Sequence, residues 1–136
     1  MIDLRKLERP RSPNHFLASP ADWGIAGADE TSPAFSADWR TVLGALKEIA
    51  LSEPRTRLTG EDMTTRRVAF CQRSLIFRFP DDIVAEIVEL GDNKSTIAIY
   101  SASRCGYGDF GVNRRRMRRW LGKLTRALAR PAPNTG

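Results

Sequence analysis

Histidine is almost absent from this sequence: His15 is the only one. A Ser/His/Asp or Cys/His mechanism would have to be built on that residue, because the imidazole takes the nucleophile's proton in such sites. His15 stands in a proline-rich stretch, a poor scaffold for a base that must be held in fixed geometry. Cysteine is nearly as scarce. Cys71 and Cys105 are the only two, with neither CxxC nor Cys/His metal spacing, so a disulfide framework and a structural zinc site are both excluded. Two reduced thiols in the cytoplasm are the expectation. Long apolar runs are missing as well, since charge interrupts every one within about ten residues and a membrane span needs ~20. The first twenty residues place Asp3, Arg5, Lys6, Glu8, Arg9 and Arg11 where an export signal carries an apolar core, so export is not expected. There is no internal repeat or low-complexity tract.

What is present describes a folded domain. Apolar residues make up 41% and charged residues 28% of 136 positions, enough to bury one core without staples and too balanced for a disordered chain. The charge is uneven. The net charge is +6, yet Arg104 to Gly136 holds nine basic residues and one acidic residue. The first 103 residues are therefore slightly acidic. A basic segment of this kind attracts phosphates or anionic lipid, or it is the solvated face of a helix that keeps the protein in solution.

Residues 1–35 read as an irregular arm, because Pro10, Pro13, Pro20 and Pro33 prevent a long helix. Phe16, Leu17, Trp23, Ile25 and Phe35 are more apolar content than a free linker needs, so the arm is expected to pack on the α+β domain of residues 36–130. A tail, 131–136, is expected to be disordered. Trp39, Val42, Leu43, Leu46, Ile49 and Ala50 fall on one face of a helix from about Asp38 to Leu51, with Ser36 or Asp38 to cap it and Pro54 beyond its end. Residues 56–79, rich in Thr, Val, Phe, Ile and alternating Arg, favour at least two strands. Ile83 to Val88, the turn Leu90-Gly-Asp-Asn-Lys94 and Thr96 to Tyr100 make a hairpin. Met117, Trp120, Leu121, Leu124 and Leu128 form the apolar stripe of a last helix from about Val112 to Ala129. Arg115, Arg119, Lys123, Arg126 and Arg130 project away from that stripe and read as solvated, while Asn113 and Arg114 turn toward the body of the domain. The expected architecture is α+β, an antiparallel sheet of about four strands covered by two helices.

The most informative segment joins the last strand to the last helix. Ser101-Ala-Ser-Arg-Cys-Gly-Tyr-Gly-Asp-Phe-Gly-Val-Asn-Arg-Arg-Arg116 puts Gly106, Gly108 and Gly111 within six positions. Glycines permit positive φ and close backbone approach, and a helix start offers amide donors, so an anion-binding loop is chemically feasible. The spacing is neither GxGxxG nor GxxxxGK[ST], so no nucleotide fingerprint is present. An architectural role accounts for the same residues, with Asp109 bridging Arg104 or Arg114 and the glycines turning the corner.

This segment resembles the family called domain of unknown function 1499. The family's approximate pattern, S-x-S-R-x-G-x-x-D-x-G-x-N-R-x-R, is matched by Ser101, Ser103, Arg104, Gly106, Asp109, Gly111, Asn113, Arg114 and Arg116. Ser12-Pro13-Asn14 is similar to its S-P-N element and Phe79-Pro80-Asp81-Asp82 to its F-x-D-D element, which extends the resemblance over roughly residues 10–128. The resemblance implies no established activity, substrate or cofactor. It does not require a histidine where this chain has His15.

Asp81 and Asp82 are adjacent and would face opposite sides of a strand, which makes them a poor catalytic pair. No His/Cys/Asp/Glu group has ligand spacing for a metal, and no cofactor is expected. Nucleic acid finds no recognisable reading motif, since Trp120 belongs to the apolar stripe while Arg115, Arg118 and Arg119 supply charge alone. The expectation is a non-catalytic binding domain for a small anion or a protein partner. Its site would be Ser101, Ser103, Arg104, Gly106, Asp109, Gly111, Asn113, Arg114 and Arg116, with Ser12, Asn14, Asp81 and Asp82 as further candidates. One alternative is a phosphoester-type hydrolase with Asp109 as base and Arg104 or Arg114 as anion clamp. Another is nucleic-acid or anionic-membrane contact through the basic last helix.

Overall fold

Between residues 67 and 103 one set of alternate positions, Val68 and Phe70, Ile83, Ala85 and Ile87, and Ile97 and Ile99, is apolar, a period that presents these side chains on one face of pleated strands. In the computed structural model, which describes residues 1–8, 14–23, 28–104 and 111–129, this stretch forms β5 (Arg67–Arg73), β6 (Pro80–Gly91) and β7 (Lys94–Ser103). They follow β1 (His15–Ser19), β2 (Glu30–Thr31), β3 (Ala34–Phe35) and β4 (Thr56–Asp62). The sheet has seven strands in the order β2-β1-β7-β6-β5-β4, with β3 also on β7. Every pairing is antiparallel except β1 with β2.

The expected four strands are thus corrected to seven, and the difference lies in the first 35 residues. Without them β7 would be an open edge of unpaired amides and carbonyls, which folded proteins cover. Here Phe16 pairs with Ser101, Leu17 with Tyr100, and Ala34 with Thr96. The arm that reads as irregular is part of the sheet.

Helix α1 (Trp39–Ser52) starts where Asp38 accepts the Thr41 amide at 2.8 Å. That amide bond holds the Asp38 carboxyl below its ordinary value. Helix α2 (Val112–Leu128) begins at Gly111, whose φ of +82° is a left-handed conformation suited to glycine. The β6–β7 turn has positive φ at both Asp92 and Asn93, as a tight hairpin turn of this twist requires.

Both helices lie on one face of the sheet. Val42, Leu43 and Leu46 of α1 and Met117, Trp120, Leu121 and Leu124 of α2 pack on Phe16, Phe70, Ile83, Ile87, Ile97 and Ile99. Trp120 meets Phe70 edge to face at 5.8 Å. Deleting a buried Leu side chain from such a core costs about 2–5 kcal/mol. The other face is closed by the N-terminal segment: Leu4 packs with Leu17, Val84, Ala98 and Tyr100, with Leu7 and Trp23 alongside. No helix among the described residues is long and apolar enough to cross a membrane.

Candidate functional site

On the helix-covered face four strands carry an apolar row that turns polar at the same end of the sheet. On β5 the row runs Val68, Phe70, Gln72; on β6 Ile87, Ala85, Ile83, Asp81; on β7 Ile97, Ile99, Ser101, Ser103; on β1 Ala18, Phe16, with Asn14 just before the strand. Strand register sets these ends side by side, since Gln72 pairs with Asp81, Asp81 with Ser103, and Phe16 with Ser101. The first turns of α2 add Asn113 and Arg116, one helical turn apart and therefore on one face.

The guanidinium of Arg116 lies among these polar ends, its side chain only 6% exposed. Its Nε donates to Gln72 Oε1 at 2.5 Å, Nη1 to Ser101 Oγ at 3.1 Å and Asn113 Oδ1 at 2.8 Å, and Nη2 to Asp81 Oδ2 at 2.7 Å. Ser101 donates its hydroxyl to Asn113 Oδ1 at 2.5 Å, while Asn113 Nδ2 donates to the Asn14 carbonyl at 3.0 Å and to Ser103 Oγ at 3.1 Å. The Asn113 amide thereby fills its two donors and its oxygen accepts twice. Removing a charge from water is costly unless it is paired and hydrogen-bonded. Arg116 is both. The network ties the segment before β1, strands β5, β6 and β7, and the start of α2 into one unit.

This network includes Ser101, Ser103, Asn113, Arg116, Asn14 and Asp81 from the sequence-derived candidates. Arg104 and Asp82 form a separate, exposed pair, with Arg104 Nε at 2.6 Å and Nη2 at 2.8 Å from the carboxylate. Hydrogen bonding to Asp82, and its charge, raise the Arg104 pKa above the ordinary value. Asp81 and Asp82 do face opposite sides of β6. Arg114 lies with its guanidinium carbon 5.3 Å from the centre of the Phe16 ring. Gly111 opens α2. Gly106, Asp109 and Ser12 lie outside the described residues, and so does the expected contact of Asp109 with Arg104 and Arg114. His15 sits 6.0 Å from the Tyr100 ring. Among the described residues no cluster of three His, Cys, Asp or Glu side chains stands ready for a metal.

Two further groups escaped the sequence reading. Gln72 was visible only as the polar end of the Val68-Phe70 row. Glu53 follows α1 with its side chain 7% exposed, and it accepts from Trp120 Nε1 at 2.8 Å, from Arg119 Nε at 3.2 Å and from Lys123 Nζ at 3.3 Å, with Arg119 Nη2 closing the pair. Burial pushes the Glu53 carboxyl up, but the hydrogen bonds from Arg119 and Trp120, the Arg119 charge and Lys123 outweigh it and bring the pKa down to about 2. Arg119 and Lys123 project from the expected side of α2 and stay in part exposed there, and they also partner this carboxylate because the end of α1 comes alongside their face of α2.

Beside the buried network opens a cleft of about 240 Å³, lined by Arg55 after α1, by Gln72, Arg73 and Ser74 at the end of β5, by Asp81, and by Val112, Arg115, Arg116 and Arg119 of α2. Five arginines and one aspartate line it among the described residues; Arg116 is matched by that aspartate and Arg119 by Glu53. Arg55 Nε donates to the Arg73 carbonyl at 3.0 Å and Arg73 Nη1 to the Arg78 carbonyl at 2.9 Å. Neutral carbonyl partners position both guanidinium groups and leave their charges in place. The α2 cap, Gly111, offers no side-chain oxygen to the first helical amides.

The family model described as "Protein of unknown function (DUF1499)" matches residues 7–124, a span that contains every member of the network and the cleft. No curated protein matches the chain.

Proposed function

From the premise that the chain belongs to the DUF1499 family, whose description assigns no activity, we propose that it is a non-catalytic binding domain for a small anion, received by the arginine cleft at the start of α2. The excess of arginine over carboxylate in that cleft carries the reading. Guanidinium groups fork onto phosphate or carboxylate oxygens, and a helix start adds partial positive charge. Val112, Arg115 and Arg116 come from the segment that is unusual in sequence, while Arg55 and Arg73 come from elsewhere in the fold.

The buried network supports binding over catalysis. Ser101 has one proton and spends it on Asn113, and its other bonded neighbour is Arg116. Neither neighbour is a base, so the hydroxyl is not activated as a nucleophile. Asp81 is held as the counter-charge of Arg116.

Thermal unfolding in phosphate and in chloride at matched ionic strength tests this reading, because a ligand of the folded state stabilises by mass action while screening affects both salts alike. Phosphate should raise Tm by several degrees near saturation. The Arg55→Gln/Arg73→Gln variant should lose that rise and keep the chloride Tm within about 2 °C, as surface substitutions do. Equal Tm in both salts would reject an anion site.

A further inference from the structure

The hairpin that joins β5 to β6 exposes its apolar residues. Leu75 is 67%, Ile76 78%, Phe77 72% and Phe79 49% exposed, although apolar surface left in water forgoes roughly 25 cal/mol per Å². The tip is nonetheless ordered by its own bonds. The Ser74 amide donates to the Phe79 carbonyl at 3.0 Å, the Phe79 amide to Ser74 Oγ at 2.9 Å, and the Phe77 and Phe79 rings stack at 5.3 Å. Arg78 is the only charged residue from Ser74 to Pro80, and Arg73 precedes the tip. The acids that follow, Asp81 and Asp82, are matched by Arg116 and Arg104.

The geometry points to this tip as a membrane-docking element: Leu75, Ile76, Phe77 and Phe79 enter the headgroup region of an anionic bilayer while Arg73 and Arg78 meet its phosphates. Three observations select a lipid surface. The tip is one short turn, and its four exposed apolar side chains offer less than the ~800 Å² per partner of a specific protein interface. Its charges are of one sign, complementary to anionic lipid. Its apolar and basic groups are neighbours, the pairing that holds a peripheral element at the interface. The inference goes beyond the cleft reading and shares only Arg73 and Ser74 with it.

Cosedimentation of the full chain with vesicles tests it, using phosphatidylcholine alone and an equimolar phosphatidylcholine–phosphatidylglycerol mixture. Each arginine near an anionic surface strengthens binding about fivefold, so the two tip arginines predict partitioning roughly 25-fold stronger on the mixture. Ile76→Asp/Phe77→Asp, at two exposed positions, should abolish it while phosphate still raises Tm. That response keeps the two readings separable: loss of the phosphate effect with vesicle binding intact would remove the cleft and leave the tip. Failure to pellet with the mixture would overturn the inference. So would pelleting undiminished in the variant, which would assign the attraction to charge elsewhere, or self-association through the tip without vesicle binding.

Discussion

Arg116 has a strand residue or a neighbouring helix residue at each nitrogen, and its position is intelligible only with its partners. The helix phase places it beside the apolar stripe of α2, where the facing strand ends are Gln72, Asp81 and Ser101. Replacing a buried ion pair whole by apolar groups is often tolerated, but removing one member leaves an unmatched charge and costs about 3–5 kcal/mol. Arg116→Met should therefore lower stability in denaturant unfolding by about that amount. Adding Asp81→Asn to it should recover part of the loss, with a coupling of about 1–3 kcal/mol. Strictly additive effects, each under about 0.5 kcal/mol, would show that the pair does not hold these strands to the helix. The motif positions Ser101, Ser103, Asn113 and Arg116 stand out in sequence. What they touch does not, because Gln72 and Asp81 lie on other strands and their meeting depends on register, which a one-residue slip would undo.

Among elements, the contact between the end of α1 and the middle of α2 turns on Glu53. Both helices are legible from apolar residues at helical spacing, and Asp38 from its place one residue before the first turn. The Glu53 contact is not, since periodicity says which face of a helix is apolar and nothing about which helix end comes to rest beside the other face. Arg119 and Lys123 are on the side expected, and Arg119 remains 44% exposed there. The folded pKa of Glu53, about 2, lies below its ordinary value of 4.5. Its contribution is present in full above pH 4.5 and declines as pH falls from there toward 2, because the unfolded chain takes up the proton first. Glu53→Gln should accordingly be less stable than the wild type at pH 6, with the gap narrowing between pH 4.5 and 2 in urea titrations. A gap that stays constant across that range would show that the carboxylate charge is not what the contact uses.

At the scale of the whole molecule, the hairpin β6–β7 and strand β5 follow from alternation and a turn, both local signals. The arm is where local signals fail. Strands β2 and β3 are two residues long, too short to show a period, and the prolines around them read correctly as an absence of helix without revealing the open edge of β7 they serve. The cleft is less legible still, as its arginines come from the end of α1, the end of β5 and the start of α2. Under the proposed function these levels meet in one division of labour: the residues that stand out in sequence hold arm, sheet and α2 together, and the arginines beside them are the proposed receivers of the anion. Side-chain Nε–Hε resonances of arginine, followed by NMR through a titration with inorganic phosphate at constant ionic strength, measure that division directly. The account predicts saturable shifts at Arg55, Arg73 and Arg115, with Arg116 nearly unmoved because its Nε stays bonded to Gln72. A titration that moves Arg116 most and leaves the cleft arginines still would contradict it, and would make the buried network itself the site.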